Sequence, residues 1–182
     1  MLPNLEALLE QCRTCKHIAE IGVADGSFSE RILSVCNPSK LYLIDAWEMP
    51  FHPIYGEGGL TIIQTRFKEQ IVTGQVEIWR GLSHEIIPTL PVRSLDLVYI
   101  DASHDYDSVK ADLELVRSKM EPRGLIAGHD YVKWAGHCKR FGVVEAVNEF
   151  CIDFDFEFAF LTMDANNNWS YALRRMDQDD VT

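Results

Sequence analysis

Apolar residues along this chain switch repeatedly between two spacings. Leu5, Leu8, Leu9 and Cys12 recur at helical intervals, and KHIAEIG at residues 16–22 then reads as a short buried strand. A glycine-containing turn, V-A-D-G, follows, and Phe28, Ile32 and Val35 fall on one face of a second helix. KLYLIDAW at 40–47 is a second strand. The Pro/Gly-rich aromatic stretch MPFHPIYGEGG is a loop, and Leu60, Ile63, Phe67 and Ile71 form the apolar side of the next helix. QVEIWRG at 75–81 is a third strand, SHEIIPTL a short helix cut by Pro88, and LDLVYIDA at 95–102 a fourth strand.

The alternation continues through a helix lined by Val109, Leu113, Val116 and Met120, an E-P-R-G turn, a fifth strand GLIAGHD at 124–130 and a helix carrying Val143, Val147 and Phe150. The tail changes character. Phe154, Phe156, Phe158 and Phe160 alternate with other residues, A-N-N-N at 165–168 is a turn, and WSYALRR returns as an antiparallel partner. Strand-helix units followed by a hairpin predict a doubly wound α/β fold, a mostly parallel sheet covered on both faces with an antiparallel edge. No linker, repeat or low-complexity tract divides residues 1–182, so a single domain is expected.

Composition narrows the partners. Hydrophobic residues make up 47% of the chain, ample for a core, and the formal net charge is -11. A negative mean field without clustered Lys or Arg disfavours nucleic acid as the partner. No apolar run is long enough to cross a membrane, and MLPNLEALLE lacks the basic and apolar regions of a secretory signal. A soluble cytoplasmic protein is the expectation, with a small-molecule substrate and a homodimer as an open alternative to a monomer. The five cysteines are an odd number in a chain of this size and suit a reducing compartment. Cys12 and Cys15 form a C-x-x-C without a second pair at zinc spacing, which reads as two small residues near the end of the first helix.

In open parallel sheets ligands bind beyond the carboxyl ends of the strands, where strand order reverses. Those ends carry Gly22, Asp25 and Gly26; Asp45; Arg80, Gly81 and Ser83; Asp101 and His104; and His129 and Asp130. The first turn allows close backbone approach at its glycines, beside free N–H groups of the following helix. It lacks the third glycine of G-x-G-x-x-G, and Asp25 favours an amino-bearing ligand over a pyrophosphate. Asp45 stands where an acid can accept both hydroxyls of an adenosine ribose. His104, three residues after Asp101, has a side chain able to take a proton near neutral pH; Asp101 can orient it or hold a cation against substrate oxygens. The alternative for His104 is a hydrogen bond to Asp101 or Asp107 that shapes the turn.

The order E-I-G-V-A-D-G-S-F-S, L-I-D-A-W, V-Y-I-D-A-S-H-D-Y, G-H-D-Y and G-V-V-E-A-V-N-E-F resembles class I S-adenosylmethionine-dependent methyltransferases, in particular the small branch of macrocin-type and other antibiotic O-methyltransferases. The resemblance implies a seven-stranded Rossmann-like sheet with an antiparallel last strand. By it Gly22 and Gly26 approach the methionine part of S-adenosylmethionine, Asp45 holds the ribose and Ser83 lies beside the adenine. It also implies a divalent cation, Mg2+ or another, held by Asp101 and by the pair His129 and Asp130, with His104 as base. The family pattern has an acid where this chain has His129, and imidazole suits magnesium less well than carboxylate does.

Three functions therefore compete: methyl transfer to a small-molecule hydroxyl, dinucleotide-dependent oxidoreduction, and ligand binding or regulation without turnover. The missing third glycine weakens the second. Trp47, the 50–55 loop, Tyr131 and Trp134 are candidates to cover cofactor or substrate, with packing alone as the alternative, while Asp105 and Asp107 are expected to cap a helix and Glu145 and Glu149 to form a solvated helix face.

Overall fold

A computed structural model describes residues 1–135, 139–163 and 168–176, so most of the expected A-N-N-N turn lies outside the described residues. Helix α1 (Leu5–Gln11) starts at Asn4, whose side chain accepts the Ala7 N–H at 2.9 Å. The chain continues as β1 (His17–Ile21), α2 (Ser27–Cys36), β2 (Lys40–Asp45), α3 (Glu57–Arg66), α4 (Lys68–Val72) and β3 (Val76–Arg80). Helix α5 (Ser83–Ile86) and a 3-10 turn at Ile87–Thr89 lead to β4 (Leu95–Ile100), α6 (Tyr106–Arg117), β5 (Met120–Gly128), α7 (Val143–Phe154), β6 (Phe156–Leu161) and β7 (Tyr171–Arg175). A short ribbon pairs Trp134–Ala135 with Lys139–Arg140 between β5 and α7; no pattern in the sequence announced it.

The sheet order is β3-β2-β1-β4-β5-β7-β6. The first five strands are parallel, and β7 runs antiparallel to both of its neighbours. Strand alternation divides the core into two layers. Leu97 and Tyr99 of β4 face the α1–α2–α3 side with Leu9, Ile32 and Ile63, while Val98 and Ile100 face the other side with Leu113 and Val147. Strand order reverses between β1 and β4, which brings the turn after Ile21 beside the turn after Ile100.

Three expectations change. The E-P-R-G turn is inside β5, where the register to β4 shifts between Leu95 and Leu97. Pro122 has no N–H to give a ladder, and a Cβ on Gly124 would lie 2.9 Å from the Leu95 carbonyl oxygen, so the chain bulges and stays in the sheet. The helix through Leu60 and Ile71 breaks at Phe67, whose buried ring sits over Gly26. Trp47 does not cover a ligand: it is 1% exposed, lies under the first turn and donates its indole N–H to the Ala24 carbonyl at 2.9 Å.

Candidate active site at the carboxyl ends of β1 and β4

The first turn is held from beneath. Asp45 Oδ2 accepts the N–H groups of Val23 and Ala24 at 2.8 and 3.0 Å, and its Oδ1 accepts that of Trp47 at 2.9 Å. A carboxylate at the end of β2 thus organises the loop after β1, where a ribose-binding acid was expected. Gly22 has φ +86° and a Cβ there would lie 2.2 Å from the Asp101 carbonyl oxygen; Gly26 has φ +76° and a Cβ would meet the Ile63 side chain at 2.4 Å. Both glycines are required by neighbouring protein atoms. Asp25 Oδ1 accepts the Ser27 N–H at 3.0 Å, at the start of α2. Ser83, the first residue of α5, faces Asp112 of α6.

Across the switch point three ionisable groups meet. Asp101 follows β4, with its N–H bound to the Ile21 carbonyl at 2.8 Å, and Asp130 follows β5 with φ +58°. This left-handed backbone is uncommon for a residue with a Cβ, and it turns the carboxylate toward His104. His104 Nε2 lies 2.6 Å from Asp130 Oδ2 and 3.6 Å from Asp101 Oδ1. One ligand atom from each of the three residues fits within 4.8 Å of the other two. The His104 ring is stacked on Phe141 with centroids 4.6 Å apart, and its carbonyl accepts the Gly142 N–H at 2.8 Å. These contacts fix the plane of the imidazole.

The electrostatics follow from that packing. Asp101 and Asp130 beside the ring push the His104 pKa up to about 9, against the opposing effect of burial. Burial pushes Asp130 up, yet His104 and Asn168 hold it below the ordinary carboxylate value. Although His104 Nε2 is close to two carboxylates, it is buried and aligned for a hydrogen bond with neither. A cavity of about 10 Å³ beneath it, bounded by Asp101, Ser103, His104, His129 and Tyr171, is large enough for one water or ion. Asp101, His104 and Asp130, each offering one ligand atom within reach of a shared ion, fit a divalent cation. The O, O, N donor set suits Mn2+, Fe2+ or Zn2+ better than Mg2+.

His129 is turned elsewhere. Its Nδ1 is 2.9 Å from Ser170 Oγ, which is itself 3.3 Å from the Tyr99 hydroxyl, and its Nε2 is 3.8 Å from Asp130 Oδ1. The structure therefore groups Asp101, His104 and Asp130, with His129 behind them as a neighbour of Asp130. Asp105 caps α6 as expected, accepting the Ser108 N–H at 3.0 Å. Glu149 lies on a solvent-exposed face as expected, with 43% of its side chain exposed, and there pairs with Lys110 at 2.8 Å and accepts the Tyr106 hydroxyl, tying α7 to α6. Glu145 likewise pairs with Arg140 at 3.0 Å.

Four polar residues near the site escaped the sequence reading. Glu20, inside β1, is 1% exposed; burial pushes it up to about 8, and it accepts the Ser29 hydroxyl at 2.5 Å. Asp112 is 4% exposed and burial pushes it up to about 6. Its position three residues after Val109, on the apolar face of α6, was a usable signal. Ser170 and Asn168, which touch His129 and Asp130, had none. A groove of about 590 Å³ is lined by Lys40, Lys68, Ile71 and Ile78 beside the edge strand β3, away from these groups.

Sheet order, glycine turn and strand-end acids define a Rossmann-like methyltransferase fold. The family model for a methyltransferase domain matches residues 19–131, and the chain belongs to this family of methyltransferases, in line with the class I S-adenosylmethionine-dependent reading of its motifs. No curated protein sequence matches it. Among solved structures it resembles a candidate rRNA methylase from Clostridium thermocellum (TM-score 0.71, 10% identity, 97% of this chain and 98% of that one). The O-methyltransferase TomG of tomaymycin synthesis from Streptomyces achromogenes, in complex with S-adenosylmethionine, aligns with TM-score 0.67 and 21% identity over 94% of this chain and 78% of that one. An O-methyltransferase from Bacillus cereus in complex with S-adenosylhomocysteine gives 0.65 and 17% over 94% and 79%.

Proposed function

We propose that the chain transfers the methyl group of S-adenosylmethionine to a hydroxyl of a small molecule, with a divalent cation held by Asp101, His104 and Asp130. The convergence of these three groups beside the turn after β1 carries the reading. Methyl transfer breaks the S–CH3 bond as the O–CH3 bond forms, and the protein aligns the two atoms and removes the hydroxyl proton. A cation at this site would supply positive charge that eases ionisation of the substrate hydroxyl.

The residues divide the remaining work. Asp101, with 37% of its side chain exposed, is the member open to substrate, and Asp130, with 10% exposed, is the anchor. With a pKa of about 9, His104 alone is an imidazolium at neutral pH and donates charge to the carboxylates instead of taking a proton. Base function at Nε2 requires that proton to leave, which higher pH would do. Phe141, stacked on the ring, keeps water off one face. The net charge of -11 favours a small molecule over RNA as acceptor.

Calorimetric titration with S-adenosylhomocysteine, with Mn2+ and with chelator, tests the proposal. Binding of the nucleoside and a chelator-sensitive methyl transfer to a phenol, catechol or sugar hydroxyl are expected. Absence of nucleoside binding would sink the reading. Binding without turnover across such acceptors would favour a regulatory protein, a second reading supported by the protonated state of His104.

A further inference from the structure

At the opposite ends of the strands, before β1 begins, Cys12 and Cys15 lie on a tight turn. The Cys15 N–H bonds the Cys12 carbonyl at 2.9 Å, a three-residue closure that holds the two Cα atoms within about 7 Å of each other. That spacing overlaps the range bridged by a disulfide, about 4.4–6.8 Å. The two thiols lie close enough to shift each other's ionisation, and both cysteines are free. Their burial differs: Cys12 is 0% exposed and Cys15 is half-buried, so solvent reaches one sulfur of the pair.

We propose that Cys12 and Cys15 form a dithiol that closes to an intramolecular disulfide when a hydroperoxide oxidises Cys15, with Cys12 as the resolving thiol. The neighbouring Cys12 thiol lowers the Cys15 pKa, while the same proximity and burial keep Cys12 itself protonated. The Cys15 thiolate attacks the peroxide O–O bond, forming an S–O bond and, with one proton, releasing water or an alcohol. Cys12 sulfur then displaces hydroxide from the sulfenic acid; its thiol proton leaves with that hydroxide as water. Two thiols are oxidised and one peroxide is reduced.

Nearby groups leave this as the pairing the geometry favours. Cys36 is 2% exposed and points its sulfur at the Leu9 carbonyl, 3.7 Å away. The cysteines do not converge as a metal set: among the described residues only Asp101, His104 and Asp130 do. Asp96 Oδ2 accepts the N–H groups of Lys16 and His17, both at 2.8 Å, so the chain after the turn is anchored to β4 and the turn can close without moving β1.

The sequence supplies a sharp test, because Arg13 lies between the two cysteines and trypsin separates them. Intact protein is treated with hydrogen peroxide, alkylated and digested without reductant. Expected is residues 1–13 joined to residues 14–16, a species lost on adding dithiothreitol. Crosslinking of Cys15 to the 32–40 peptide containing Cys36, or Cys15 left as sulfinic acid with Cys12 fully alkylatable after denaturation, would overturn it. In Cys15→Ser, Cys12 should resist the peroxide dose that oxidises Cys15 in the parent; equal oxidation would overturn the assigned order of attack.

Discussion

The two halves of the strand-end site solve opposite problems. Around β1 and β2 every singled-out group is satisfied by the protein itself: the Asp45 oxygens take three backbone N–H groups, and Gly22 and Gly26 are pressed against Asp101 and Ile63. Around β4 and β5 the His104 ring nitrogen is buried between two carboxylates, 2.6 Å from Asp130 and 3.6 Å from Asp101, and is aligned for a hydrogen bond with neither. The first half is explained by folding alone and the second is not. Left-handed backbone occurs in both halves, at Ala24 and Trp47 as at Asp130, so it does not separate them; two acids gathered on one buried imidazole do, and they mark where a ligand is expected.

The largest effect that would sharpen this contrast is Gly22→Ala. Adding a Cβ at positive φ and 2.2 Å from the Asp101 carbonyl should destabilise the protein by about 3 kcal/mol or more and displace Asp101. Urea unfolding should show it with or without cofactor; a wild-type midpoint would mean that the two turns are not pressed together.

A smaller effect comes from His104, whose pKa of about 9 in the folded state lies above its ordinary 6.5. Without a divalent ion its contribution is fully present below pH 6.5 and is lost as pH rises through 9, a change of at most about 3 kcal/mol. His104→Gln should remove that part of the slope in chelator. Mn2+ should release a proton from the parent protein, measurable by calorimetry in buffers of different ionisation enthalpy. An unchanged slope and no proton release would make the ring a turn residue. The smallest effect is expected from Asp45→Asn, which keeps one acceptor oxygen and should cost about 1–2 kcal/mol by loosening the 23–24 turn. A large loss of nucleoside affinity without loss of stability would return Asp45 to the ribose.

The parallel half of the sheet was legible because each strand ends in a small or acidic residue and each helix shows one apolar face. The bulge at Pro122 and Gly124 was not, because E-P-R-G has the composition of a turn whether or not the chain leaves the sheet. Asp101 and His104 were readable from one turn. The choice between His104 and His129 as third member was not, since His129 and Asp130 are adjacent and their side chains diverge, one toward Ser170 and the other toward His104. Ser170 reaches His129 only through the pairing of β7 with β5, a contact between distant segments that leaves no local pattern. Glu20 and Asp112 did leave a usable signal, each a charge on an apolar face, although neither had been singled out.

Strand β7 has a consequence for the order of assembly. It is the last strand among the described residues, yet it occupies an interior place, with β5 on one side and β6 on the other. Until residues 171–175 arrive, β5 is an open edge and β6 has only the bridge to Leu2 at its end, so neither can settle by adding strands in sequence. His129 and Asp130 gain Ser170 and Asn168 from the segment that closes this gap. The final geometry of the acid-histidine cluster is therefore acquired late in folding, when the sheet is sealed from its middle.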